Sequence, residues 1–110
     1  MNNKQKLIEE ILTIVVDCCN IDIYDEVSIT NEDVLSANRS ENVCMTRCIF
    51  VTEMLFMGYS KTTIAHILHR SEKTIGNILN QAHTYRKTSY AYRIAEAEST
   101  IKLKEIMAKM

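Results

Sequence analysis

The sequence predicts an all-α protein, and three observations carry that prediction. The 110 residues include no proline and only two glycines, Gly58 and Gly76, so few positions break a helix. Hydrophobic residues make up 46% of the chain and recur at intervals of three and four rather than alternating, as half-buried strands would require. The segments between these periodic stretches are short and carry Ser, Thr or Asn where a helix would be capped. A chain of this length buries one core, so a single helical domain over residues 1–110 is expected.

In "NKQKLIEEILTIVVDCC" the apolar positions Leu7, Ile8, Ile11, Leu12, Val15, Val16 and Cys19 form one buried helical stripe. "NIDIYDEVSIT" follows without helical periodicity and reads as an irregular connection. "NEDVLSA" offers Asn31 as an N-cap, with Glu32 and Asp33 near the positive end of a short helix. A long helix is expected from a Ser40 cap to Gly58, with Cys44, Cys48, Val51 and Leu55 on one face. Gly58 supplies the left-handed residue that ends many helices.

From Ser60 a helix of about two turns runs to Leu68, and from Ser71 another runs to Ala82 or His83. The last helix, about 89–109, has Thr88 or Ser89 as its cap. Its apolar residues change face near Ser99, from Ile94, Ala97 and Ile101 to Leu103, Ile106, Met107 and Met110. That change leaves two readings of the end open, a separate arm or a dimerisation surface.

Charge is divided along the chain. Residues 1–36 carry 2 Lys against 8 Asp and Glu, and residues 37–95 carry 8 Lys and Arg against 3 Glu, which gives −6 and +5 within a net charge of −1. If the second segment folds with its charges on one side, it forms an electrostatic footprint for phosphate. The 4 cysteines stand as Cys18-Cys19 and Cys44 with Cys48, without a Cys-x-x-Cys spacing. Reduced, packed thiols in a cytoplasmic protein are expected, with no metal and no cofactor. The start "MNNKQKLIEE" lacks the apolar core of a signal peptide. The run "ILTIVV" is far too short to span a membrane. No acid, base and nucleophile share a recognisable spacing and no Gly-rich phosphate loop occurs, so an enzyme is not expected.

"YSKTTIAHILHRSEKTIGNILNQ" has the parts of a helix-turn-helix: a small residue at the crossing, apolar anchors on both helices and a short turn. Ala65 is the small residue. Ile64 and Leu68 anchor the first helix, and Ile75, Ile78 and Leu79 anchor the second. Ser71 caps the second helix by accepting from the N–H of Lys73 or Thr74. His69 falls where such turns prefer Gly, and Arg70 where a hydrophobic plug is common. With the anchors inward, Glu72, Lys73, Thr74, Asn77, Asn80 and Gln81 face outward. Asn and Gln can pair with adenine in the major groove, and Thr can touch a thymine methyl. Gly76 costs about 1 kcal/mol relative to Ala in a helix, so close approach by another helix or by nucleic acid is expected there.

On these residues the sequence resembles two families. "IAHILHRSEKTIGNILNQ" is similar to the DNA-binding domains of LuxR-type regulators, through Ile64-Ala65 and Ser71-Glu72-Lys73-Thr74-Ile75. The wider chain, residues 5 to 85, resembles the C-terminal DNA-binding domain of the bacterial replication initiator DnaA, within the Trp-repressor-like group. The match lies on Ile8, Ile11, Val15, Asn20-Ile21, Leu35-Ser36, Arg39, Arg47, Ile64-Ala65 and Thr74. The resemblance implies that Arg39 and Arg47 reach the minor groove. With no ATPase region, it implies a stand-alone bacterial DNA-binding cousin, such as a small transcriptional regulator or a mobile-element or phage protein.

Sequence-specific binding of double-stranded DNA is therefore the leading expectation. Glu72, Lys73, Thr74, Asn77 and Gln81 would meet bases, and Lys61, Arg70, Ser71, Arg86 and Lys87 would lie nearest phosphates. A homodimer through the last helix is a further expectation. The alternative is a helical protein-interaction module that keeps the fold without binding DNA.

Overall fold

A computed structural model describes residues 3–23 and 28–109, with side chains from residue 5. Among these residues the chain forms six helices and no strand: α1 (Asn3–Asp22), α2 (Asn31–Leu35), α3 (Glu41–Phe56), α4 (Lys61–Leu68), α5 (Glu72–Thr88) and α6 (Tyr90–Ala108). The all-helical class follows the sequence periodicity. Met110 and part of the 20–30 connection lie outside the described residues.

The helices assemble around α3. Its residues Met45 through Val51 are all buried, as are Val43, Glu53 and Met54, so α3 is covered on every side rather than along one face. Cys44 and Leu55, expected on the buried face with Cys48 and Val51, are only half-buried. The hydroxyls that such burial would strand are bonded within the helix: Thr46 Oγ1 donates to the Asn42 carbonyl at 2.8 Å and Thr52 Oγ1 to the Cys48 carbonyl at 2.9 Å. The first and last helices pack along each other. Ile11, Val15, Cys18 and Cys19 of α1 and Tyr92, Ala95, Ser99 and Leu103 of α6 are fully buried. One continuous core draws residues from all six helices. Each fully buried aliphatic or aromatic side chain contributes about 1.5–3 kcal/mol relative to exposure.

Local chemistry sets the helix ends. Asn31 does not cap α2. Thr30 does, its hydroxyl accepting from Asp33 N at 3.2 Å while the Asp33 carboxylate accepts from Thr30 N at 2.9 Å, a reciprocal capping box. Asn31 instead donates to Thr13 Oγ1 at 3.1 Å, tying α2 to α1. Asn20 holds the incoming connection, accepting from Ile29 N at 2.8 Å and donating to Ile29 O at 3.0 Å. Ser40 precedes α3 without a side-chain cap bond.

At the end of α3, Gly58 adopts φ +98°. Tyr59 N donates to Met54 O at 3.0 Å and Gly58 N to Leu55 O at 3.0 Å, the paired closure that a left-handed residue permits. α5 extends to Thr88 and passes the expected end at Ala82 or His83 by more than a turn. Ser89 then caps α6, accepting from Tyr92 N at 3.1 Å.

One expectation fails on packing, and another loses one of its two alternatives. α6 is not a separate arm, because its inner stripe continues through Ser99 to Leu103. Ser99 can be buried because its hydroxyl donates to Ala95 O at 2.8 Å. No helix presses on Gly76, since a Cβ added there would meet nothing within 4 Å.

Candidate nucleic-acid interface

α4 and α5 are joined by residues 69–71 and share one construction. Each helix opens on a Ser-x-x-Thr sequence whose serine accepts from the threonine N–H at 3.2 Å, Ser60 from Thr63 and Ser71 from Thr74. His69 closes α4 in the left-handed region, at φ 54° and ψ 45°. Arg70 N reaches back to Ala65 O at 2.9 Å and His69 N to His66 O at 3.2 Å. Ile64, Ala65, Leu68, Ile75, Ile78 and Ala82 are buried, which fixes the outward arc of α5. Lys73, Asn77, Asn80, Gln81 and Thr84 are exposed on it and Thr74 is half-buried at its edge. Glu72 is exposed as well, but its Oε1 accepts from Thr62 Oγ1 at 3.0 Å and links the starts of the two helices.

Beside this arc lies a groove of about 760 Å³. One wall is Thr74, Asn77 and Gln81, and the other carries Arg39, Arg47 and Arg70. Three arginines meet here because Arg47 organises the α2–α3 connection. It is 5% exposed. Its Nε donates to Val34 O at 2.9 Å, and its Nη2 to Ser36 O and Asn38 O, both at 3.0 Å, and to Asp33 O at 3.3 Å. The connection thus wraps its carbonyls around one guanidinium and leaves Arg39 exposed on its outside. This corrects the expectation that Arg47 reaches DNA, because all but a few per cent of its surface is enclosed and its donors are committed.

Arg70 takes a middle course. Its Nη1 donates to Leu68 O at 2.9 Å and its Nη2 to Ser36 O at 2.7 Å, so it fastens the turn to the same connection while remaining half exposed. Burial, followed by the like charges of Arg47 and Arg39, pulls its pKa below the ordinary arginine value. Among the described residues none of the three forms an ion pair. Like charges gathered without a carboxylate favour an anion.

The other expected phosphate contacts divide. Lys61, Ser71 and Lys87 are exposed. Arg86 is not available in the same way: its Nε donates to Glu96 Oε1 at 2.7 Å and its Nη2 to Thr52 Oγ1 at 3.2 Å. That places it on the inward side of α5, bracing α5 against α3 and α6. Two side chains escaped the sequence reading. Thr84 and Tyr85, with Asn80 and Gln81, line a second hollow of about 300 Å³ that meets the groove at Gln81. The signal was present, since no residue between 83 and 88 would end a helix.

Among the described residues no group of three or more His, Cys, Asp or Glu stands where it could hold a metal ion. None of the helices is long and apolar enough to cross a membrane.

Fold and site together define a small all-helical protein with a polar, arginine-walled groove along one helix. The family model DUF2192, described as an uncharacterized protein conserved in archaea, matches residues 2–110. The chain belongs to that family, and its archaeal setting replaces the bacterial one that the resemblance implied. No curated protein and no solved structure matches the chain.

Proposed function

We propose that this protein binds double-stranded DNA sequence-specifically, as a small cytoplasmic regulator of transcription. In this reading α4 and α5 act as a helix-turn-helix, with α5 in the major groove and the α2–α3 connection beside it. The observation that carries the proposal is the groove itself, with uncharged hydrogen-bonding side chains on one wall and, on the other, the exposed Arg39 and the partly exposed Arg70 beside the enclosed Arg47. Bases are read by the first kind of group and phosphates held by the second. The charge of +5 over residues 37–95 supports it. The sequence resemblance to the DnaA-like, Trp-repressor-like group points the same way.

The test is selection from a randomised duplex library at two salt concentrations, with Asn77→Ala as the control. An enriched motif that the control loses is the expected result. Failure to retain any duplex at low salt would remove the proposal.

A second reading is favoured by the outer face of α6, where Tyr90 is 71% and Ile101 57% exposed. Such a stripe suits helix-to-helix contact, either a homodimer or an interaction module that keeps the fold without DNA. Sedimentation equilibrium separates these cases: a monomer at every concentration excludes the homodimer.

A further inference from the structure

Between Thr74 and Tyr85, a span of 12 residues, α5 contains no Asp, Glu, Lys or Arg. Charged side chains stand only at its two ends, with Lys73 and Lys87 exposed. Within the span Asn77, Asn80, Gln81, His83 and Thr84 are exposed, with His83 turned round the helix from the arc that the other four share. The three amides make no side-chain hydrogen bond among the described residues. Thr84 turns its hydroxyl back to Asn80 O at 3.3 Å, which leaves its methyl group as the outward contact.

The edges of the bases in the major groove call for different partners. Guanine presents two acceptors and pairs with Arg or Lys, and cytosine presents a donor and pairs with Asp or Glu. Adenine presents one acceptor and one donor and pairs with Asn or Gln, while thymine presents a methyl group. Between Lys73 and Lys87 the outward face offers amides and a methyl group, readers for adenine and thymine, and no Arg, Lys, Asp or Glu to pair with guanine or cytosine.

From this complementarity we infer that the protein selects A·T base pairs, read through Asn77, Gln81 and Thr84. The inference rests on the DNA-binding reading above and names the class of duplex that reading leaves open. The 12 residues of the span rise about 18 Å, the length of about five base pairs. The run of A·T selection should therefore be about that long. Lys73 and Lys87, at the ends of the face, would meet phosphates on either side of it.

The test uses the full chain and two fluorescent duplexes of equal length, one with an A·T core and one with a G·C core, titrated at the same low salt. The expected result is binding to the A·T core at least about tenfold tighter, the discrimination of one good bidentate contact. Asn77→Ala with Gln81→Ala should abolish the difference. Gln81→Arg should move preference toward a guanine placed in the core. Both positions are exposed, so these substitutions leave the core intact.

A third duplex, with 7-deazaadenine in the A·T core, lacks the major-groove acceptor at N7. The preference should fall with it. Equal affinity for the first two duplexes, or tighter binding to the G·C core, would overturn the inference while leaving DNA binding in place. A preference that survives both 7-deazaadenine and the double substitution would also overturn it, because duplex shape would then be the source. Binding to neither duplex would instead remove the DNA-binding reading on which the inference stands.

Discussion

Arg47 and Arg70 donate to the same carbonyl oxygen, that of Ser36, at 3.0 and 2.7 Å. One arginine comes from the buried centre of α3 and the other from the turn between α4 and α5, so this oxygen ties α3 to that turn along the arginine wall of the groove. Arg47→Met should cost about 3 kcal/mol, because it strips charged donors from the carbonyls of Asp33, Val34, Ser36 and Asn38 together. Arg70→Ala should cost about 1 kcal/mol, since water can reach Ser36 from the open side. A double-mutant cycle by urea unfolding should show coupling above about 0.5 kcal/mol. Independent, additive losses would mean that the shared carbonyl does not connect the two elements.

His69 occupies φ 54°, where a side chain strains the backbone and glycine does not. It is exposed, so its replacement opens no cavity. His69→Gly should raise stability by about 0.5–1 kcal/mol, seen as a higher urea midpoint with unchanged slope. His69→Val should lower it, because β-branching makes the left-handed region worse. A glycine variant less stable than the parent would assign the imidazole a contact of its own.

These two residues mark where the sequence was legible. A cap is a conversation between neighbours, so Ser60, Ser71 and Gly58 could be placed from spacing alone, and so could the need for a left-handed residue at His69. The Thr30-x-x-Asp33 box was equally local but was passed over for the adjacent Asn31. Arg47 and Arg86 were misplaced for a different reason. An arginine reads as solvent-facing until its acceptors are known, and theirs lie as far as 14 and 34 residues away. Two of the three groove arginines and all the amides of α5 were nonetheless named correctly as surface groups, because they fall between apolar anchors of helical period. The groove could not be foreseen, since it forms only where the Ser36 backbone meets the turn. Ser99 misled in the opposite direction, its hydroxyl taken as a break in a stripe that it continues.

The thiols should separate by burial. Cys18, Cys19 and Cys48 are fully enclosed and Cys44 is half-buried on the groove. Burial pushes the Cys19 and Cys48 thiols up to about 12 and raises that of Cys18 in the same direction, against a weaker opposing hydrogen bond from Ser99. Thiolate is the reactive form, so at pH 8 a native sample should alkylate at Cys44 at least about tenfold faster than elsewhere. Peptide mapping after brief iodoacetamide treatment would check this. Rapid labelling of Cys48 would contradict the close packing of α3 against α5, where its Sγ lies 3.5 Å from Ile78 O.

Behind the groove, Glu53 is 1% exposed, with Oε1 accepting from Thr100 Oγ1 at 2.6 Å. Among the described residues its Oε2 accepts no hydrogen bond within ordinary geometry, nor does Glu96 Oε2, and the Tyr92 hydroxyl makes none. Burial raises the Glu53 pKa above the ordinary glutamate value. The Thr100 hydrogen bond opposes the rise, the Glu96 charge adds to it, and Arg86 and Lys104 pull it back. A folded-state pKa above the unfolded one means that the fold binds this proton more tightly. The stability it brings is fully present below the unfolded value and is lost as pH rises through the folded value. Glu53→Gln keeps the size and removes the ionisation, so its urea midpoint should match the parent's below pH 4 and exceed it increasingly toward pH 7. Parallel midpoint curves across that range would mean that the carboxylate is better solvated than its burial indicates. A variant less stable at pH 7 would mean that the charge is held favourably by Arg86, whose guanidinium also braces α5 through Glu96.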